Sequence, residues 1–229
     1  MSAEQHLEAA LRAGAAELGL ALQPAQVQQL LDFLALLHKW NRVYNLTALR
    51  APQDMLTHHL LDSLAAVPPL LRYLQSMQER EQEQGRALQL LDVGSGGGLP
   101  GVVFAICCPQ LQVHCVDTVA KKAAFIQQAA TTLRLGNLRG IHARVESLSG
   151  PYDIISSRAF AALADFTAWS RAALAPQGVW LAMKGKLPGD EIGQLPPTVQ
   201  VFHVEQLAVP QLQAERCIVW LRPAGGEPS

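Results

Sequence analysis

Apolar positions recur at helical spacing through the first third of the chain and gather into short runs after it. Pro24 stands where a helix can begin, because a first turn tolerates a residue without an N–H. Val27, Leu30, Leu31, Leu34 and Leu37 follow on one face of a 3.6-residue period. A second helical run follows Pro52, with Met55, Leu56, His59 and Leu60, and a third is predicted from Asp62 toward Gln75, disturbed by Pro68-Pro69. Residues 78–87 are polar and mixed in charge and read as a linker or a solvated helix end. Beyond them, apolar runs at 88–93, 113–116, 138–143, 152–156, 178–183, 199–204 and 217–221 predict seven strands. Helical patterns start near Pro100 and cover 119–134 and 161–174. Strands alternating with helices predict an α/β fold with a parallel, doubly wound sheet. The expected organisation is an N-terminal helical extension (1–77), a polar linker (78–87), a ligand-binding domain (88–222) and a flexible tail (223–229).

Composition narrows the class without changing this picture. Of 229 residues, 49% are apolar and 16% charged, which suits a folded chain with a large core. The formal net charge of −1 excludes nucleic-acid binding by bulk charge and leaves a local basic face open. Cys107, Cys108, Cys115 and Cys217 contain no C-x-x-C pair, so reduced thiols are expected rather than zinc or disulfides. The start of the chain lacks a basic n-region, and no run reaches about 18 apolar residues. A cytoplasmic protein with no membrane contact is expected.

The densest signal is Leu90-Leu91-Asp92-Val93-Gly94-Ser95-Gly96-Gly97-Gly98-Leu99-Pro100-Gly101, a strand running through a glycine-rich loop into a helix start. Glycines let the backbone approach a ligand closely, and a helix N-terminus offers free N–H groups. Gly96-x-Gly98-x-x-Gly101 formally matches the dinucleotide fingerprint, a weak match by itself. Asp92 discriminates: a carboxylate there repels a pyrophosphate but favours the ammonium and sulfonium of S-adenosylmethionine, SAM. The alternative is an Asp that caps the loop. Asp117 ends the second strand 23 residues after Gly94, where an acid meets ribose hydroxyls or caps the following helix. The third strand leads into Arg144-Val145-Glu146, near an adenine edge if the ligand is an adenosine.

Leu37-His38-Lys39-Trp40-Asn41-Arg42-Val43-Tyr44-Asn45-Leu46-Thr47, His58-His59-Leu60-Leu61-Asp62-Ser63, the glycine loop ending Leu99-Pro100-Gly101, Ser157-Arg158-Ala159-Phe160 and Met183-Lys184-Gly185 occur in that order. The set resembles the RsmG (GidB) family of bacterial 16S ribosomal RNA guanine-N7 methyltransferases, over roughly residues 25–221. The resemblance implies a class I SAM-dependent methyltransferase fold, Rossmann-like with a mostly parallel seven-stranded sheet, and methylation of N7 of one guanosine, conventional position 527, with 16S rRNA, the small ribosomal subunit or its assembly intermediate as partner. By resemblance Gly94 and Leu99 line the SAM loop, Val145 and Glu146 fall on the adenine side, and Arg158 falls on a cofactor- or substrate-binding position. Gly97 stands where many members carry Pro. A monomer is expected.

Guanine N7 has a lone pair and no proton to lose. Transfer then needs an in-line approach and no general base, and no acid–base pair stands out in the sequence. The candidate substrate-positioning residues are Asn45, Arg158 and Lys184. Asn45 reads as a base-edge contact or a helix C-cap, Arg158 as a ligand contact or an ion pair, and Lys184 as a phosphate contact or a solvated strand end. Trp40 and Tyr44 read as base-stacking or core residues, and His59 as a structural histidine. No cluster of metal ligands is evident. Residues 118–158 hold six Lys/Arg against two acids, +4 in a chain of −1, and Lys39, Arg42 and Arg50 add charge with no acid beside them. The rival readings are a nicotinamide-type oxidoreductase, a non-catalytic RNA binder on this scaffold and a small-molecule methyltransferase.

Overall fold

The computed structural model describes residues 2–80 and 86–225. Seven strands form one sheet in the order β3-β2-β1-β4-β5-β7-β6. They are β1 (Gln89–Val93), β2 (Gln112–Asp117), β3 (Leu138–His142), β4 (Tyr152–Arg158), β5 (Leu174–Lys184), β6 (Val199–Gln206) and β7 (Cys217–Pro223). β1 pairs in parallel with β2 and β4, and only β7 runs antiparallel to its neighbours β5 and β6. The seven predicted strands and the mostly parallel sheet are present. β1 is central and buried on both faces, hence its nearly unbroken apolar run.

Residues alternate between two cores, as a pleated sheet requires. Leu90, Val113, Ile154 and Leu181 point to one side, and Leu91, Val116, Ile155 and Trp180 to the other. On the first side lie α1 (Ala3–Glu17), α2 (Pro24–Tyr44), a segment from Pro52 to Leu64, α5 (Val67–Arg80), α6 (Gly101–Cys107) and α7 (Ala120–Thr132). On the second lies α8 (Leu163–Ser170), followed along the chain by a turn Arg171–Ala173 and, past β5, by α9 (Gly189–Gly193). The N-terminal helices therefore share one continuous core with the sheet. Gln26 and Gln29 of α2 donate to the carbonyls of Ile106 and Leu133 at the ends of α6 and α7, each at 2.9 Å. These are carbonyls that helix ends otherwise leave without partners.

Several boundaries differ from the sequence expectation. Pro68-Pro69 opens a helix instead of disturbing one, because both fall in the first turn of α5. Pro52–Met55 (α3) and Asp62–Leu64 (α4) are joined by a π-helical turn, Leu56–Leu61. α5 continues through 78–80, residues 81–85 of the expected linker lie outside the described residues, and Arg86 is held by the buried Asp153. β5 begins at Leu174 rather than at 178. Its pairing with β4 skips from Leu174 to Val179, and the residues between, Pro176 included, bulge out of register. β7 reaches Pro223, and residues 226–229 of the expected tail lie outside the described residues.

Candidate active site

The strand order reverses direction at β1, whose neighbours β2 and β4 continue the chain to opposite sides. Loops leaving the carboxyl ends of the strands open a crevice at such a switch point. Here those ends deliver Gly94 after β1, Asp117 from β2, Arg158 from β4 and Lys184 from β5. Two cavities meet there. One, of about 520 Å³, is lined by residues including Leu46, Thr47, Asp62, Gly96, Arg158 and Lys184. The other, of about 360 Å³, is lined by residues including Asp117, Val145, Glu146, Phe160 and Trp169. Gly94 and Ala159 line both.

The glycine loop separates and joins them. Gly94, at φ 67°, has Phe160 packed against it so closely that a Cβ would lie 2.3 Å from Phe160 Cδ2. Gly96, at φ 57°, is the opposite case: a Cβ would meet nothing nearer than the Gly94 carbonyl at 3.9 Å, because it projects into the cavity. Gly98 is buried away from the crevice, where a Cβ would strike Val102. Gly94 and Ser95 donate to the Val116 carbonyl, and Gly96 N–H donates to Asp117 Oδ2 at 3.0 Å. Asp117 Oδ1 accepts from Val119 N–H at 2.9 Å. This acid thus braces the loop and caps the turn into α7 while lining the smaller cavity.

Asp92 does not sit where its charge suggested. It is fully buried beneath the loop and lines neither cavity. Ser156 Oγ donates to its Oδ1 at 2.9 Å and Gly101 N–H to its Oδ2 at 3.1 Å. The first N–H of α6 is therefore consumed by the protein and is not free for a ligand. Burial pushes the Asp92 carboxyl up to about 6, against the opposing pull of these hydrogen bonds. The folded state holds this proton more tightly than the unfolded chain, so the group's contribution to stability falls as pH rises from about 4 to about 6. Asp92→Asn is expected to flatten that slope in urea titrations and to leave SAM affinity within about threefold, since no ligand contact is lost. Asp92→Ala, which strands Ser156 and the Gly101 N–H, is expected to cost about 2–4 kcal/mol.

The larger cavity holds a buried ion triad that the linear pattern did not disclose. Asp62, delivered by the π-helical turn, accepts from Arg158 Nη1 at 2.8 Å through one oxygen and from Arg216 Nε at 2.7 Å through the other. Arg158 also donates to the His58 carbonyl, and Arg216 to the Glu215 carbonyl. Arg158 is ion-paired, one of its two readings, and it also lines the cavity. Lys184 lines the cavity too, with its ammonium on Glu191 at 2.7 Å and the Ala161 carbonyl at 3.0 Å. Glu191 in turn accepts from Leu163 N–H at the start of α8.

Asn45 takes the capping role. It ends α2 in the left-handed region, at φ 50°, accepts from Arg50 at 2.7 Å and lines neither cavity. The neighbouring Asn41 is buried, accepts from Thr47 N–H and donates to the Leu49 carbonyl, which holds the segment that brings Leu46 and Thr47 to the cavity wall. His59, expected to be structural, lines the larger cavity with both ring nitrogens engaged. Burial, assisted by the nearby Arg158, pushes its pKa down to about 4, so it is neutral near pH 7. Its Nδ1 faces the His58 carbonyl and its Nε2 meets Thr47 Oγ1 at 2.8 Å. Glu146 is paired with Arg144 at the rim of the smaller cavity, and Val145 is buried in its wall. Opposite them, Phe160 and Trp169 meet edge to face with centroids 5.9 Å apart. The four cysteines are free thiols, and no group of potential metal ligands exists among the described residues. No helix of the described residues is long and apolar enough to cross a membrane.

A central strand, a glycine loop at the switch point, an acid ending the next strand and a seven-stranded sheet with one antiparallel strand define a class I SAM-dependent methyltransferase fold. The crystal structure of TrmN from Thermus thermophilus shares it, with a TM-score of 0.50 and 17% identity over 73% of this chain and 53% of that one. Residues 26–219 match the family model GidB, rRNA small subunit methyltransferase G, and the chain belongs to that family. Ribosomal RNA small subunit methyltransferase G of Acidovorax ebreus (strain TPSY) is 73% identical over 95% of this chain and 96% of its own length. The protein of the same name from Acidovorax sp. (strain JS42) is 74% identical over 94% and 95%.

Proposed function

We propose that this protein transfers a methyl group from SAM to N7 of a guanine in 16S ribosomal RNA, presented alone or in the small subunit. The observation that carries the reading is the adjoining pair of cavities at the switch point, both lined by Gly94 and Ala159, in a chain of this family. The shape and chemistry of both halves fit the cofactor. Asp117 offers carboxylate lone pairs to ribose hydroxyls, while Val145 and the rings of Phe160 and Trp169 offer an apolar slot for adenine. The loop from Gly94 to Leu99 borders the passage toward the larger cavity, where Arg158 keeps N–H donors suited to a carboxylate. Bound there, SAM supplies an electrophilic methyl carried on a sulfonium.

The chain's own contribution is placement. Guanine N7 needs no deprotonation, and His59, the imidazole in the cavity wall, is neutral with both ring nitrogens engaged. The methylated guanine is a cation, so unbalanced positive charge at N7 would oppose its formation. Here Arg158 and Arg216 share Asp62, and Lys184 is matched by Glu191. The wall keeps one net positive charge, which the SAM carboxylate or an RNA phosphate would balance, and it donates hydrogen bonds to phosphate or O6. Leu46, Leu99 and Met183 exclude water from the approach.

Calorimetric titration with SAM and with NAD tests the cofactor assignment. Binding of SAM with the protein stabilised against heat is expected. Stabilisation by NAD without a response to SAM would replace the methyltransferase reading with an oxidoreductase one.

A further inference from the structure

The seam between α2 and α7 combines two features that the cavity does not use. The first is a tier of rings. Phe125 of α7 packs on Trp40 at 5.5 Å, and Trp40 packs on Tyr44 at 5.0 Å with 35° between the planes. Phe125 is buried, Trp40 half-buried, and Tyr44, the outermost ring, is 39% exposed. The second is charge. Residues 33–53 and 118–145 contain no Asp or Glu, yet hold Lys39, Arg42, Arg50, Lys121, Lys122, Arg134, Arg139 and Arg144, in a chain of net charge −1. The helices run antiparallel along the seam, since Gln29 reaches Leu133 whereas Trp40 meets Phe125. Lys121, one turn before Phe125, therefore lies toward the Tyr44 end, and like Lys39 and Arg42 it is exposed.

We propose that the α2–α7 seam is a docking track for single-stranded RNA, with Tyr44 as the platform on which a base near the target guanine stacks. The inference rests on the methyltransferase reading and specifies how its substrate is held. An A-form major groove is too narrow for side chains, so an enzyme acting on guanine N7 meets that base splayed out or single-stranded. Its neighbours then lose stacking partners, and an exposed aromatic ring replaces one. Tyr44 is placed for this: Leu46 and Thr47, two and three residues on, line the cavity, within about 11 Å along the backbone. Lys122 and Arg144 are paired with Asp117 and Glu146, and Lys39, Arg42 and Lys121 supply the phosphate contacts that such stacking platforms accompany. Val43, 70% exposed, adds apolar surface at the same corner.

Fluorescence anisotropy with a labelled single-stranded fragment of 16S rRNA, repeated with small subunits from a strain lacking this enzyme, tests the proposal. Tyr44→Ala and Tyr44→Leu are expected to weaken binding about tenfold, while Tyr44→Phe and Tyr44→Trp stay within about twofold. SAM affinity is expected to be unchanged in all four. Lys39→Ala, Arg42→Ala and Lys121→Ala are each expected to lower the slope of log affinity against log salt by about 0.7. Wild-type binding by Tyr44→Leu would mean that the ring serves only to cover Trp40, and would overturn the proposal. So would wild-type binding by Tyr44→Ala, or no RNA binding by the unaltered protein. If Tyr44→Ala does not fold, the Leu and Phe variants decide the matter. Methyl transfer by the unaltered protein to an atom other than guanine N7 would break the functional reading and leave these binding results to stand or fall separately.

Discussion

Gly96→Ala is expected to fold and to lose SAM affinity by at least about 30-fold, or roughly 2 kcal/mol. The two effects separate because of where the new methyl goes. At φ 57° an alanine pays about 1 kcal/mol for the left-handed backbone, a cost spread over a loop that Asp117 and Val116 hold at several points. Its Cβ meets no protein atom closer than 3.9 Å and enters the cavity instead. Isothermal titration and a urea melt on the same preparation read both quantities. Unchanged SAM affinity would remove Gly96 from the cofactor's boundary. Gly94→Ala provides the contrast: its Cβ lands 2.3 Å from Phe160, so Phe160 must move and both the melt and the titration are expected to suffer.

Asp62→Ala has the largest expected effect. One carboxylate, 5% exposed, is shared by two guanidiniums that are themselves mostly buried. Removing it leaves Arg158 and Arg216 without a counter-charge, and breaking a buried pair by deleting one partner costs about 3–5 kcal/mol. Part of that is recovered as the arginines turn toward water, so a loss near the lower end is expected in the urea melt. Methyl transfer is expected to fall by more than about 100-fold, because both arginines leave their places in the cavity wall. Asp62→Asn retains one acceptor and both side-chain positions and is expected to lie between. Wild-type turnover in Asp62→Ala would show that neither arginine needs to be held there.

The sheet was legible because burial on two faces writes each strand as an apolar run between turn residues, and Asp117 and Arg158 were legible as strand ends, with Val145 in the loop after the third strand. What the pattern hid is physical in each case. Asp62 and Arg216 are 154 residues apart and meet only through the fold, and nothing in Leu-Thr-His-His-Leu-Leu announces the π-helical turn that aims Asp62 inward. Asp92 looked like a ligand because a carboxylate beside a glycine loop has two uses, and only burial decides between them. Asn45 likewise carries the same side chain as a cap or as a base reader, and only the fold shows it ending α2 in the left-handed region with Arg50 on its oxygen. Lys184 was legible as a strand end and lines the larger cavity, but its partner Glu191 comes from a five-residue helix with no apolar period to reveal it.

The central claim is the reaction itself, and mapping the acceptor atom tests it most directly. Labelled methyl from SAM would be supplied to 16S rRNA and small subunits from a strain without this enzyme, and the RNA then cleaved by chemistry specific for N7-methylguanosine. The account predicts one cleavage, at a single guanosine, that appears only with active protein and disappears in Asp62→Ala. Label that resists this cleavage, or label on no RNA at all despite tight SAM binding, would contradict it.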